Sequence, residues 1–339
     1  MLRLTLAFLA GALLVAAIVL GQRLTREIPP SEFVSAAAIR SAAAVKADML
    51  PHALTFATGE IGEQRAILDE FFYASKIADA RRLYPVNESV LEIGEVYTES
   101  FEPAEGVSPE NTGRVLINLH GGAFSLGART EGRLESIPVA ATAKMRVVSV
   151  DYRQGPEHRF PAGSEDVATV YRHLLERHSP EQIGIFGCSA GGMLTAQSVA
   201  WFDAHELPKP GAIGIFCAGA GEFGAGDAGV ITAAFGERLG GGGEIAYFEG
   251  IDWTDPLVGP LHHPKLLARF PPTLVITSTR DGALSSAIVT HQRLVGVGVE
   301  AELHVYEGLI HYFFADTTLP ESRHVFDVIS RFFDRRLAR

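Results

Sequence analysis

Four short stretches carry residue types that work together in nucleophilic catalysis. The first is Gly187-Cys188-Ser189-Ala190-Gly191, a serine framed by a glycine two residues to either side. An apolar run at 183–186 precedes it and a helix-like stretch at 193–202 follows it. Strand, sharp turn and helix together lift one hydroxyl out of a sheet, and the glycines permit a strained turn with close strand–helix packing. The free N–H groups at the start of that helix favour developing negative charge. The other three stretches are His120-Gly121-Gly122 after the run 115–119, Asp281-Gly282 after 273–277, and His311 after 301–306.

Each piece has a place in acyl transfer. A serine hydroxyl is a weak nucleophile and needs a base, and histidine titrates near neutral pH. The histidine needs a carboxylate to hold its tautomer and balance the imidazolium. A tetrahedral oxyanion needs preorganised N–H donors, each worth roughly 3 kcal/mol of barrier. Ser189, Asp281 and His311 are therefore the candidate catalytic residues, and the amides of Gly121, Gly122 and Ala190 the candidate oxyanion hole. Singly, each has a plainer reading: a tight turn for Gly121-Gly122, a turn or cap for Asp281-Gly282, a surface group for His311. What joins them is position. All four lie at the carboxyl ends of apolar runs, where open α/β sheets bind ligands, and the order Ser, Asp, His suits this motif class. His120 reads as a brace for its loop. His262, His263 and His304 read as loop or surface residues, and no cluster has metal-ligand spacing.

The elements that must hold these groups alternate. Strand-like runs at 91–101, 115–119, 147–151, 183–186, 213–217, 273–277 and 301–306 are mostly separated by helix-like segments at 131–145, 164–178, 193–205 and 284–295. Such alternation predicts a mainly parallel sheet covered by helices on both faces. A last helix, 321–337, places Val325, Val328, Ile329, Phe332 and Phe333 on one face. Two further helices are expected at 31–50 and about 60–83. One stretch breaks the rhythm: 218–270, about 50 residues rich in glycine and aromatics, is long enough to form a lid or binding surface.

With 339 residues, 47% of them hydrophobic, the chain can bury one large core or two. Its net charge of −11 comes without a basic stripe, which argues against a nucleic-acid partner. The two cysteines, Cys188 and Cys217, read as reduced apolar fillers. Residues 4–21 are almost wholly apolar, with Arg3 before and Arg23 and Arg26 after. Roughly 17 residues at ~1.5 Å each make a helix of about 25 Å, short for a ~30 Å bilayer core. Residues 1–26 are accordingly expected to be a signal peptide or a membrane anchor, which places the protein outside the cytoplasm, in the periplasm or cell envelope.

Three separated motifs carry a family resemblance. His120-Gly121-Gly122-Ala123-Phe124, Asp151-Tyr152-Arg153-Gln154-Gly155-Pro156-Glu157-His158-Arg159-Phe160-Pro161-Ala162 and Gly187-Cys188-Ser189-Ala190-Gly191-Gly192 resemble the bacterial hormone-sensitive-lipase-like esterases of the α/β-hydrolase fold. The resemblance covers residue 91 to the C-terminus. It implies an eight-stranded, mostly parallel sheet with a helical cap, and hydrolysis of small carboxylic esters of short to medium acyl chain without a cofactor. It also implies that 27–90 and 218–270 build the cap on a catalytic domain at 91–339. Phe124, Phe223, Phe235 and Trp253 are expected to line the substrate pocket. The chain departs from the family at Cys188, where relatives carry Asp, at Ala123, at Gln154-Gly155 and at Ser286. Cys188 should alter support of the elbow without removing a catalytic group. A lactonase or a deacetylase of natural products would use the same triad, and a non-catalytic small-ligand receptor could use the same fold. Monomer and dimer both stay open.

Overall fold

Strands rich in Val, Ile and Phe, buried on both faces, can only sit inside a parallel sheet covered on both sides. That is the arrangement of the computed structural model, which describes residues 29–234 and 245–339. The apolar stretch 4–21 and Phe235 lie outside the described residues. Eight strands form one sheet: β1 Val86–Ile93, β2 Val96–Pro103, β3 Val115–Leu119, β4 Arg146–Val150, β5 Ile183–Cys188, β6 Ala212–Phe216, β7 Thr273–Arg280 and β8 Ala301–Ile310. Their spatial order is β1-β2-β4-β3-β5-β6-β7-β8. β1 and β2 are antiparallel, β2 runs antiparallel to β4, and the rest are parallel.

Among the described residues the helices are α1 Ala36–Met49, α2 Ala53–Thr58, α3 Ile61–Ile67, α4 Ala74–Leu83, α5 Glu131–Ala143, α6 Ala162–Leu175, α7 Ala190–Ala204, α8 Asp227–Ala234, α9 Pro264–Leu267, α10 Leu284–Gly296 and α11 Pro320–Arg336. The sheet separates two apolar cores. One contains Val167, Tyr171, Leu194 and Phe202 of α6 and α7. The other contains Leu134 and Ile137 of α5, Phe326 and Phe333 of α11, and Tyr73, Ile77 and Ala80 from the N-terminal segment. Each fully buried Leu, Ile, Val or Phe contributes about 1.5–3 kcal/mol relative to exposure.

Two elements differ from expectation. The run 91–101 is not one strand but the heart of a β1–β2 hairpin, closed where Ile93 pairs with Val96. Gly94 at φ +63 supplies the left-handed turn residue. Only Gly94 and Glu95 separate Ile93 from Val96, a break too short for periodicity to mark. The expected helix at 60–83 is interrupted by a π-helical turn, Leu68–Tyr73. Such a turn rotates the residues beyond it, and here Leu68 and Tyr73 face the core.

The 218–270 stretch contains α8, α9 and short 3₁₀ turns. Tyr247 and Phe248 in it are buried in the core beside Phe124. No described helix is long and apolar enough to cross a membrane.

Candidate active site

After β3 the chain goes to β4 on one side and then to β5 on the other. β3 and β5 therefore flank the point where strand order reverses, the crevice where open α/β sheets bind ligands. Leu119 pairs with Gly187 across these strands, so the His120 loop and the Ser189 turn emerge side by side. Gly191 lies so close to Leu119 that a Cβ there would collide with the Leu119 carbonyl, and a Cβ on Gly187 would meet the same oxygen.

Ser189 sits between β5 and α7 at φ 57, ψ −121, a conformation that costs an L-residue of order 1–3 kcal/mol. Its N–H donates to the Phe216 carbonyl at 2.8 Å, which fastens the strained turn to β6. Ala190 follows as the first residue of α7, so its N–H has no acceptor within the helix. Left-handed non-glycine residues gather around this edge of the sheet: Ala123, Phe124, Ser189, Cys217 and Tyr312 all have φ between 48 and 57.

β7 and β8 deliver the other pair. Arg280 pairs with Ile310 just past a register shift, so Asp281 and His311 face one another. His311 Nδ1 lies 2.8 Å from Asp281 Oδ1. That oxygen also accepts the Ala283 N–H at 2.8 Å, while Oδ2 accepts the Thr277 hydroxyl at 3.1 Å. Burial pulls the Asp281 carboxyl upward, but the facing His311 and these donors outweigh it and hold Asp281 below its ordinary value. Desolvation pulls His311 downward, and Asp281 outweighs that, so the imidazole is raised, with Glu131 adding in the same direction. Cys217 Sγ, an Asp281 oxygen and a His311 nitrogen lie within 4.8 Å of one another. The end of β6 thus joins the serine turn to the Asp–His pair. Phe223 sets its ring edge-on to His311, with centroids 5.4 Å apart.

The amide loop is braced from several directions. His120 is buried and stacked on Tyr152 at 4.4 Å. Desolvation lowers its pKa, which keeps the ring neutral. Gln154 Nε2 donates to His120 Nε2 at 3.1 Å, leaving Nδ1–H to donate to the Gly121 carbonyl at 2.8 Å. Tyr152 donates to the His120 carbonyl at 2.7 Å. Gly122, at φ +92, has no room for a Cβ beside Leu126.

Of the four aromatic pocket candidates, Phe223 lies at the site. Phe124 has no exposed surface and packs against Tyr247 at 4.9 Å and Phe248 at 4.8 Å, which places it in the core rather than along an open pocket. Trp253 packs on Phe248 at 4.8 Å. Phe235 lies outside the described residues.

Three buried groups at the site escape motif reading. Glu131 and Glu135, one turn apart on α5, both point under the loop and the turn. Glu135 accepts an Asn118 Nδ2 bond at 3.2 Å, and burial drives its carboxyl well above the ordinary range. Tyr73 donates to Glu131 Oε2 at 2.7 Å. The one signal was two acids four residues apart in a helix otherwise suited to burial. Cys188 and Cys217 are both free and buried, and burial raises both thiols above their ordinary range.

Residues 116–315 match a family described as alpha/beta hydrolase fold. An acetyl-hydrolase of Streptomyces hygroscopicus is 28% identical over 254 residues, 70% of this chain and 82% of that protein. Esterase LipU of Mycobacterium tuberculosis is 32% identical over 243 residues, 65% of this chain and 77% of its own length. The crystal structure of esterase E25 superposes with a TM-score of 0.80 at 34% identity, over 92% of this chain and 98% of that one. An esterase from the bacterial hormone-sensitive lipase family shares the fold, with a TM-score of 0.72 at 22% identity over 87% of this chain and 98% of its own.

Proposed function

The chain belongs to the alpha/beta hydrolase fold family and is an esterase of the bacterial hormone-sensitive-lipase kind, and from that premise we propose that it cleaves small carboxylic esters through an acyl-enzyme on Ser189. The observation that carries this reading is the Asp281–His311 hydrogen bond of 2.8 Å at the same sheet edge as a strained serine turn. His311 Nε2 takes the Ser189 proton as Oγ bonds to the carbonyl carbon. Asp281 holds Nδ1–H and balances the imidazolium. The amides of Gly121, Gly122 and Ala190 hold the oxyanion, each donor worth roughly 3 kcal/mol. As the C–O bond breaks, His311 returns the proton to the departing alcohol. Water then gives its proton to His311 and attacks the acyl carbon, releasing the acid and restoring Ser189.

The similarity to an acetyl-hydrolase of Streptomyces favours the short end of the acyl range and supports a deacetylase as the second reading. Residues 27–90 and 218–270 form the cap in this proposal, and residues 1–26 a leader or anchor, which N-terminal sequencing of exported protein tests. Purified protein should hydrolyse p-nitrophenyl acetate and butyrate and take up a fluorophosphonate on Ser189. Ser189→Ala should lose both properties. Persistent turnover in that variant would sink the assignment. A series of acyl lengths fixes the preferred chain.

A further inference from the structure

A carboxyl group buried beneath an amide loop and beside the loop that carries a histidine has consequences for the reaction as well as for packing. Glu131 opens α5 and is 2% exposed. Its Oε1 lies against the α-carbon of Gly121, where a Cβ would collide with it. Its Oε2 accepts the Tyr73 hydroxyl at 2.7 Å and lies against Gly127, whose Cβ would come to 2.7 Å. Its backbone carbonyl accepts a long bond of 3.4 Å from the hydroxyl of Tyr312, the neighbour of His311. The carboxyl is therefore wedged between the N-terminal segment, the amide loop and the histidine loop.

The groups facing it are Tyr73 and Asp69 from the π-helical turn, Glu135 on its own helix, Tyr152 after β4, Cys188 at the end of β5, and His311 with Tyr312 after β8. Within that set only His311 can carry positive charge. We infer that Glu131 is a positioning residue of the reaction: its carboxylate seats the Gly121–Gly122 loop on Tyr73 and, when ionised, steadies the positive charge that His311 acquires as Ser189 gives up its proton. This rests on the proposed roles of Ser189 and His311. Burial pushes the Glu131 carboxyl up to about 7, against the opposing pull of Tyr73 and His311, so it changes charge in the range where the enzyme would work.

The test is kcat and KM for p-nitrophenyl butyrate between about pH 5 and pH 9 for the full chain and two variants. In the wild type the acid limb of log kcat/KM should be steeper than one over about a decade, because His311 must be deprotonated and deprotonation of Glu131 adds about a further tenfold. Glu131→Gln keeps the shape and the Tyr73 contact but removes the charge. Its limb should have a slope of one and lie at lower pH, because His311 loses a group that raises it. Its kcat on the plateau should fall about tenfold, with KM within about twofold. Tyr73→Phe keeps the carboxyl and removes its donor, so Glu131 titrates higher and the acid limb should move up.

A structural control separates these effects from damage to the fold. A carboxyl with a raised folded pKa binds its proton more tightly folded than unfolded, so it costs stability as pH rises from the ordinary 4.5 to about 7. Glu131→Gln should therefore gain thermal stability relative to wild type on passing from pH 5 to pH 8 while losing rate. If Glu131→Gln does not fold, the Tyr73→Phe limb decides. A wild-type limb and kcat in Glu131→Gln, or an unmoved or lowered limb in Tyr73→Phe, overturns the inference. Ser189→Ala is measured alongside: inert Ser189→Ala with an unmoved Glu131→Gln removes only this inference, whereas an active Ser189→Ala removes the esterase mechanism beneath it.

Discussion

Cys188 shows how much one side chain depends on its neighbours. Where the family resemblance implies an acid before Ser189, this chain carries a thiol buried beside Cys217. Restoring the acid would crowd a carboxyl against the buried Glu131 and Glu135 with no cation beside Cys188. Cys188→Asp should therefore lose about 2–3 kcal/mol of stability, read from urea unfolding; an unchanged midpoint would show that the pocket can admit a third acid. The residues proposed to act on substrate were legible because their chemistry is specific and their order fixed: Ser189, Asp281, His311 and the two glycines of the loop. The residues that hold them were not. Gln154 stood out only as a departure from a pattern, yet it sets the tautomer of His120. Glu131 and Glu135 carry no local signature, because no pattern nearby reveals that Tyr73, 58 positions earlier, comes to rest on Glu131.

At the scale of the element, the site depends on how closely β3, β5 and α7 approach. The approach is set by glycines: a Cβ on Gly187 or Gly191 meets the Leu119 backbone, and one on Gly192 comes to 2.9 Å from the Phe216 carbonyl. Backbone cannot yield as a flexible side chain can, so Gly191→Ala should cost about 3 kcal/mol or more. The expected result is a lower thermal midpoint together with loss of fluorophosphonate labelling; normal labelling at an unchanged midpoint would mean that the strands separate without displacing Ser189. Helices and parallel strands of this kind were readable from periodicity to within a few residues. The β1–β2 hairpin and the π-helical turn were not. In the first, only Gly94 and Glu95 stand between Ile93 and Val96. In the second, a single wider turn leaves composition unchanged while rotating Tyr73 inward.

Across the whole molecule, the segment before the sheet is woven into the site rather than laid on it. Arg65 donates to the carbonyls of Ser125 at 2.8 Å and Gly155 at 3.0 Å and pairs with Glu157 at 2.6 Å. Thr130, just before α5, bonds Asp69 at 2.7 Å. Nothing in local sequence foretells such contacts, since they join positions 60 and more residues apart. The chain tolerates this tension because two apolar cores hold the strand ends in register around it. The left-handed backbone at Ser189 then has an evolutionary reading. Glycine would relax there, so Ser189→Gly should be about 1 kcal/mol more stable by thermal unfolding and catalytically silent; a less stable Ser189→Gly would show that the turn is not under strain. Directed selection for heat resistance alone would thus reward the loss of the nucleophile, and a library ranked by melting temperature without an ester in the assay should enrich position 189 for inactive survivors.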